Sequence, residues 1–254
     1  MQLKPYYVQV EVTTRCNFNC VFCVGRSYPN QRDMSLDTFM QLMDKHIAQY
    51  GNPTTLFLQG EGEPSLNKDL FKMAAWGKSI GAKVCTVTNG TYKHPERFIG
   101  LFDEIGLSIE TFDEAKANAL GRHNVQATAE QALFFKANGI TTIINHVTGI
   151  DDAATAEILA WCRKHKLLYK GIPLVSKLDY VVVYPAMLKP KIRNPEGFNC
   201  VHVKNNSWRF YSIDGIELPC CQIKDLTKFV SVEHLQQAIG GDVRPQCCIG
   251  CNFS

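Results

Sequence analysis

The sequence predicts an α/β fold: a partial (β/α)6 TIM-like barrel over residues 1–190 and a small C-terminal domain over residues 191–254. Three observations support that division. Apolar, β-branched runs alternate with helical patterns about six times, the order that builds a parallel sheet. The alternation stops at "LKPKIRNPEGFNC", where Pro190 and Pro195 punctuate a linker. Beyond it come a β-hairpin and a short helix, too little chain for a strong core without a staple. Six units fall short of the eight of a closed barrel, so the inner face is expected to stay partly open.

"YYVQVEVTT" reads as the first strand, ending at Thr13–Thr14. "SLDTFMQLMDKHIAQY" opens on an N-cap, Ser35, and puts Phe39, Leu42, Met43 and Ile47 on one helical face. "TTLFLQG" is the second strand and "LNKDLFKMAAWGKSIG" a helix closed by Gly81. "KVCTVTNG" and "LSIET" supply the third and fourth strands, with the helical "HPERFIGLFDEIG" between them. "DEAKANALGRH" and "ATAEQALFFKANG" carry helical segments, "ITTIINHVTG" is the fifth strand, and "DAATAEILAWCRKHKL" is a well-patterned helix. A sixth strand is expected within Gly171–Tyr184, with "DYVVVYP" as its best segment. In the tail, "WRFYSIDGIELPCC" reads as a hairpin turning at Asp214–Gly215, and "VEHLQQAIGG" as a short helix before "RPQCCIGC". In a parallel fold of this kind, chemistry is expected at the carboxyl ends of the strands.

A net charge of +3 over 254 residues is too weak to attract nucleic acid or a membrane surface, so a nucleic-acid polymer is not an expected partner. No secretory leader pattern and no apolar run of about 18 residues is present, which predicts a cytoplasmic protein without a membrane span. The 11 cysteines are an odd number, and in a reducing compartment they argue for metal rather than disulfides. Cys16, Cys20 and Cys23 form an early group; Cys200, Cys220, Cys248 and Cys251 fall late.

The early group follows directly on the first strand, where a parallel fold puts its active face. Three thiolates in a short loop can hold three irons of a four-iron cube and leave the last one open to a substrate or cosubstrate. A structural site would close every position, as structural zinc does; by spacing alone, a zinc knuckle with a distant fourth ligand stays open. "TTRCNFNCVFC", with Phe22 before its last cysteine, resembles the signature of the radical S-adenosylmethionine (SAM) superfamily. The resemblance implies a 4Fe–4S cluster whose open iron binds the amino and carboxylate groups of SAM. It also implies reductive cleavage of SAM to a 5′-deoxyadenosyl radical that abstracts a hydrogen atom.

Three further stretches are similar to that family in the same order. "GEGEP", with Gly60, Glu61, Gly62, Glu63 and Pro64, ends the second strand; its glycines would let exposed backbone meet the SAM ammonium. "TNG", with Asn89, ends the third strand. "LSIET" brings Ser108 to the SAM ribose or carboxylate, with Glu110 where the family has aspartate. On the fifth strand Asn145 is a candidate SAM contact, with a satisfied core polar residue as its alternative. Arg122 fits the family's helical arginine, or is a solvated helix-end residue. These matches run from about Val8 to Thr148.

The late cysteines resemble the SPASM or twitch extension of some radical SAM enzymes, which implies an auxiliary 4Fe–4S cluster on Cys200, Cys220, Cys248 and Cys251. Such a cluster has every iron closed and suits electron transfer. A structural zinc ribbon is the alternative. Cys221 and Cys247 are adjacent extras, while Cys85 and Cys162 read as core. The layout is most similar to the small twitch-type dehydrogenases of aminocyclitol (2-deoxy-scyllo-inosamine) biosynthesis. That implies oxidation of a small-molecule alcohol to a ketone, with the auxiliary cluster accepting an electron and a flavodoxin or ferredoxin as reducing partner. Candidate catalytic residues are Glu110, Arg122, Tyr180 and Tyr184, and Lys177, Arg193, His146 and His202 are also eligible as the base. Two other readings stay open: a redox-neutral epimerase or isomerase, or a peptide- or nucleotide-modifying enzyme, in which Cys221 or Cys247 returns a hydrogen atom; and a non-catalytic metal-binding module.

Overall fold

The computed structural model describes residues 7–23, 31–174, 188, 197–223 and 225–251. Strands and helices alternate through most of it: β1 (Tyr7–Val10), α1 (Leu36–Tyr50), β2 (Thr55–Leu58), α2 (Leu70–Ser79), β3 (Lys83–Thr88) and β4 (Glu104–Ser108). Then follow α3 (Glu114–Ala119), α4 (Val125–Ala137), β5 (Thr141–Thr148), α5 (Asp152–His165) and β6 (Leu168–Pro173). The tail contributes α6 (Val201–Asn205), β7 (Trp208–Tyr211), β8 (Glu217–Leu218) and α7 (Val232–Gln237).

β1 to β6 form a parallel sheet in the order β6-β5-β4-β3-β2-β1, the arrangement expected of consecutive right-handed crossovers. Among the described residues the sheet stays open, as an incomplete barrel does. Alternation sorts its two faces. Val8, Val10, Leu56, Leu58, Ile105 and Ile144 are buried in the main core, which also holds Phe39 and Met43 of α1 and Phe135 of α4. Gln9, Glu11, Gly106 and Asn145 take the other, concave face. Ser35 caps α1 as its sequence predicts, accepting the Thr38 N–H at 3.1 Å.

Three elements depart from the sequence reading. β4 starts at Glu104, inside the segment read as helix, where only Pro95–Phe98 is helical and as a 3-10 turn. Ile105 and Leu107 alternate into the core, so the period of two won over the local helical pattern. β6 begins at Leu168, before the expected window, and "DYVVVYP" lies outside the described residues, as do Pro190 and Pro195. The tail hairpin joins the barrel sheet: β7 pairs parallel with β1, Tyr7 against Trp208 through Val10 against Tyr211, and antiparallel with β8. Around it Phe198, Val203, Phe210, Leu218, Ile223 and Leu235 form a second core. No helix among the described residues is long and apolar enough to cross a membrane.

Candidate active site

The loop after β1 carries Cys16, Cys20 and Cys23, with Cys20 buried and Phe22 half-buried between the last two. Four segments fix it. Thr13 donates its hydroxyl to Asp33 at 2.6 Å, and Arg15 pairs with the same carboxylate at 2.7 Å. From "GEGEP", the Gly62 N–H donates to Thr13 O at 3.2 Å and the Glu63 N–H to Arg15 O at 2.7 Å. From the end of β3, Asn89 Nδ2 donates to Asn17 Oδ1 at 2.8 Å, and Asn17 Nδ2 donates to Thr91 at 2.9 Å. From the end of α3, Leu120 O and Gly121 O accept the N–H groups of Val21 and Asn19. The cysteine loop, "GEGEP", "TNG" and the α3 end therefore meet at the carboxyl end of the sheet.

The glycines of "GEGEP" serve packing. A Cβ on Gly60 would strike the Glu11 side chain, and one on Gly62 would lie 2.5 Å from Arg15 O and 2.6 Å from Thr13 O. Protein atoms thus fill the space where a ligand's close approach was expected, which leaves the loop's backbone groups as its means of contact. Glu11, directly after β1, is fully buried; it accepts the Glu61 N–H at 3.1 Å and the Ile213 N–H of the β7–β8 turn at 3.1 Å. Glu63, also buried, has its carboxylate engaged inside the protein: Thr88 Oγ1 donates to it at 2.7 Å, the Asn89 N–H at 2.6 Å and Ser65 Oγ at 2.6 Å. Pro64 opens the 3-10 turn Pro64–Leu66 that follows. This loop is a clamp between β2, β3 and the cysteines.

The far wall comes from β4 and β5. Arg122 and Glu110 form a buried pair at 2.6 Å, and Arg122 also donates to Ser108 O at 2.9 Å. Burial pushes the Glu110 carboxyl up, with Arg122 opposing. The Arg122 guanidinium lies 5.3 Å from the ring centre of Phe18 in the cysteine loop, a cation–π contact. Burial is also the main influence on the thiols: Cys16 is raised, and Cys20 is pushed up to about 12, with Arg122 opposing in both. Stable thiolates here need a cationic partner to replace water, which a metal cluster supplies. Asn145 stands beside Ser108 in the sheet and is 6 % exposed. A Cβ on Gly106 would strike its side-chain amide, so β4 leaves room for it. A side-chain amide on this wall, able to donate and to accept, fits a polar cosubstrate.

Among the other candidates, both ring nitrogens of His146 are engaged inside the protein, at 3.0 Å from Ile109 O and 2.8 Å from Thr155 Oγ1. Lys177, Tyr180, Tyr184 and Arg193 lie outside the described residues. In the tail, Cys200, Cys220, Cys247, Cys248 and Cys251 line one cavity together with His202; Cys221 does not line it. Cys200 stands at the start of α6, where burial raises it and the N–H groups of Val203 and His202 oppose. Cys85 and Cys162 are buried in a strand and a helix, as their sequence context predicts. Among the described residues, no three His, Cys, Asp or Glu side chains converge closely enough to hold a single metal ion. Glu11, Asn17, Phe18 and Asp33 escaped the sequence reading; only Glu11 carried a signal, as a charge on the alternating "VQVEV".

The family model described as the Radical SAM superfamily matches residues 10–162. The chain is 36% identical over 98 residues to an AdoMet-dependent heme synthase of Methanosarcina barkeri, covering 38% of this chain and 27% of that one. It is 25% identical over 175 residues to a GTP 3′,8-cyclase of Lactiplantibacillus plantarum, covering 63% and 51%. The chain thus spans about a quarter to a half of these curated relatives. Its fold resembles Streptococcus suis SuiB bound to S-adenosylmethionine, at TM-score 0.71 and 14% identity over 89% of this chain and 63% of that one. It also resembles BtrN in complex with AdoMet and 2-DOIA, at TM-score 0.53 and 16% identity over 92% and 80%.

Proposed function

Because the chain belongs to the radical SAM superfamily, we propose that it binds a 4Fe–4S cluster through Cys16, Cys20 and Cys23 and cleaves SAM there. The observation that carries this is the convergence of four segments on a loop with three thiols. When bound, the cluster and SAM supply a 5′-deoxyadenosyl radical, and an auxiliary cluster on the tail thiols supplies an electron acceptor. The protein's own part is positioning. Gly62 and Glu63 hold the loop by its backbone, and Arg122 joins Glu110 and Ser108 to Phe18. In this reading Asn145 orients SAM, and Phe22, Gly60, Glu61 and Asn89 supply further contacts to it.

The reaction we favour is a two-electron oxidation of a small-molecule alcohol, with a flavodoxin or ferredoxin as electron donor. A cavity that gathers five thiols supports it, because oxidation needs a place for the second electron. A second reading, a redox-neutral rearrangement, draws on Cys221, which is half-buried and outside that cavity, as a hydrogen-atom donor. One experiment separates these. Anaerobically reconstituted protein is given SAM, a reductant and a labelled polyol panel, and 5′-deoxyadenosine is counted per product. About one per product is expected in either case, because a thiol donor leaves 5′-deoxyadenosine spent; a product two electrons more oxidised than the polyol assigns the oxidation, and a product of unchanged oxidation state assigns the rearrangement. SAM cleavage that survives Cys16→Ala, Cys20→Ala and Cys23→Ala together would overturn the front-site assignment.

A further inference from the structure

The tail cavity holds one thiol more than a four-iron cluster takes. Cys200, Cys220, Cys247, Cys248 and Cys251 all line it, whereas each iron accepts one thiolate. Cys200, Cys220 and Cys251 arrive from separate places: the start of α6, the segment after β8, and the end of the last turn. Cys247 and Cys248 arrive together on the 3-10 turn Gln246–Cys248, buried at 1 % and 7 % exposure. Their Sγ atoms are 3.8 Å apart. Two thiolates on one tetrahedral metal, with bonds of about 2.3 Å, also stand about 3.8 Å apart. The pair therefore has the spacing of two ligands aimed at one metal position. The Cys251 N–H donates to Cys248 O at 3.1 Å, which wraps the next ligand around the same cavity.

We propose that Cys247 and Cys248 are alternative ligands for one corner of the tail cluster, the other three corners being fixed. This rests on the reading of the tail as a cluster site. Exchange between the two conserves charge: the incoming thiol gives up its proton and the outgoing thiolate takes one. The consequence is a cluster that survives loss of either residue.

The test uses the full chain carrying Cys16→Ala, Cys20→Ala and Cys23→Ala, so that iron bound after anaerobic reconstitution belongs to the tail. Cys247→Ala, Cys248→Ala and both together are added to it. Iron, sulfide and the electron paramagnetic resonance of the reduced cluster are measured. About four irons per chain are expected in the background and in each single variant, and loss of the four-iron signal in the double variant. One single variant that loses the cluster while the other keeps it overturns the inference and assigns the corner to one residue. A double variant that keeps four irons also overturns it, and places His202 or Cys221 at that corner. A background chain that circular dichroism shows folded but that binds no iron overturns the reading of the tail itself. If the background does not fold, the single variants are made in the otherwise unaltered chain, where about eight irons are expected throughout. If the double variant does not fold, the two single variants decide.

Discussion

Gly121 and Gly81 have nearly the same backbone, with φ of +77° and +78°, in opposite surroundings. A side chain at either enters the left-handed region, at a cost of about 1–2 kcal/mol. Around Gly81 nothing lies within 4 Å. A Cβ on Gly121 would fall on the Asn19 carbonyl and press on Cys20 Cα at 3.2 Å. Gly81→Ala is therefore expected to lower the unfolding free energy by about 1 kcal/mol and leave iron binding unchanged. Gly121→Ala should cost several times more and deplete the front site. Denaturant titration with an iron assay checks both, and equal effects would break the tie between α3 and the cysteine loop. The cysteines, "GEGEP" and "TNG" were legible because their residue types declare their chemistry. Gly121 was not, because a glycine after a helix looks the same whether it faces water or another loop. Glu63 was legible as part of a motif, but its clamp on Thr88 and Asn89 depends on two strand ends meeting.

At the scale of elements, β1 is the hub, and Glu11 shows how. Its two oxygens receive N–H groups from the loop after β2 and from the β7–β8 turn, joining front and tail through one side chain. Glu11→Gln keeps one acceptor and sets an NH2 against an N–H, which is expected to cost about 1–3 kcal/mol. Hydrogen exchange should speed up at the amides of Glu61 and Ile213; unchanged rates at both would refute the bridge. The alternating "YVQVEV" and the capped α1 and α5 were readable locally, because periodicity and caps are written in neighbouring residues. β4 and β6 shifted because their edges are set by register with β3 and β5. The pairing of β7 with β1 joins distant segments, and no local pattern announces it.

Across the whole molecule, the hairpin is also held to α1 by a partly buried polar set. His46 of α1 lies 2.8 Å from the Tyr211 hydroxyl, while Tyr50 and Arg209 both donate to Glu217, at 2.7 and 2.8 Å. Burial, with the Arg209 charge adding to it, lowers His46 from 6.5 to about 4. The unfolded chain then takes up a proton that the folded one refuses. Stability from this site is full above pH 6.5 and is lost as pH falls toward about 4. Urea midpoints measured between about pH 7 and pH 5 should fall, and His46→Gln should flatten the fall; an unaltered slope would remove His46 as its source. The place of β1 between β2 and β7 also reaches into the protein's making. One edge of β1 finds its neighbour as soon as Thr55–Leu58 is made; the other waits for Trp208–Tyr211. Until then the strand that leads into the three thiols offers an open edge, the kind that recruits stray strands. Finishing the sheet and closing the strand that leads into the cysteine loop are thus one event, timed by the arrival of the tail.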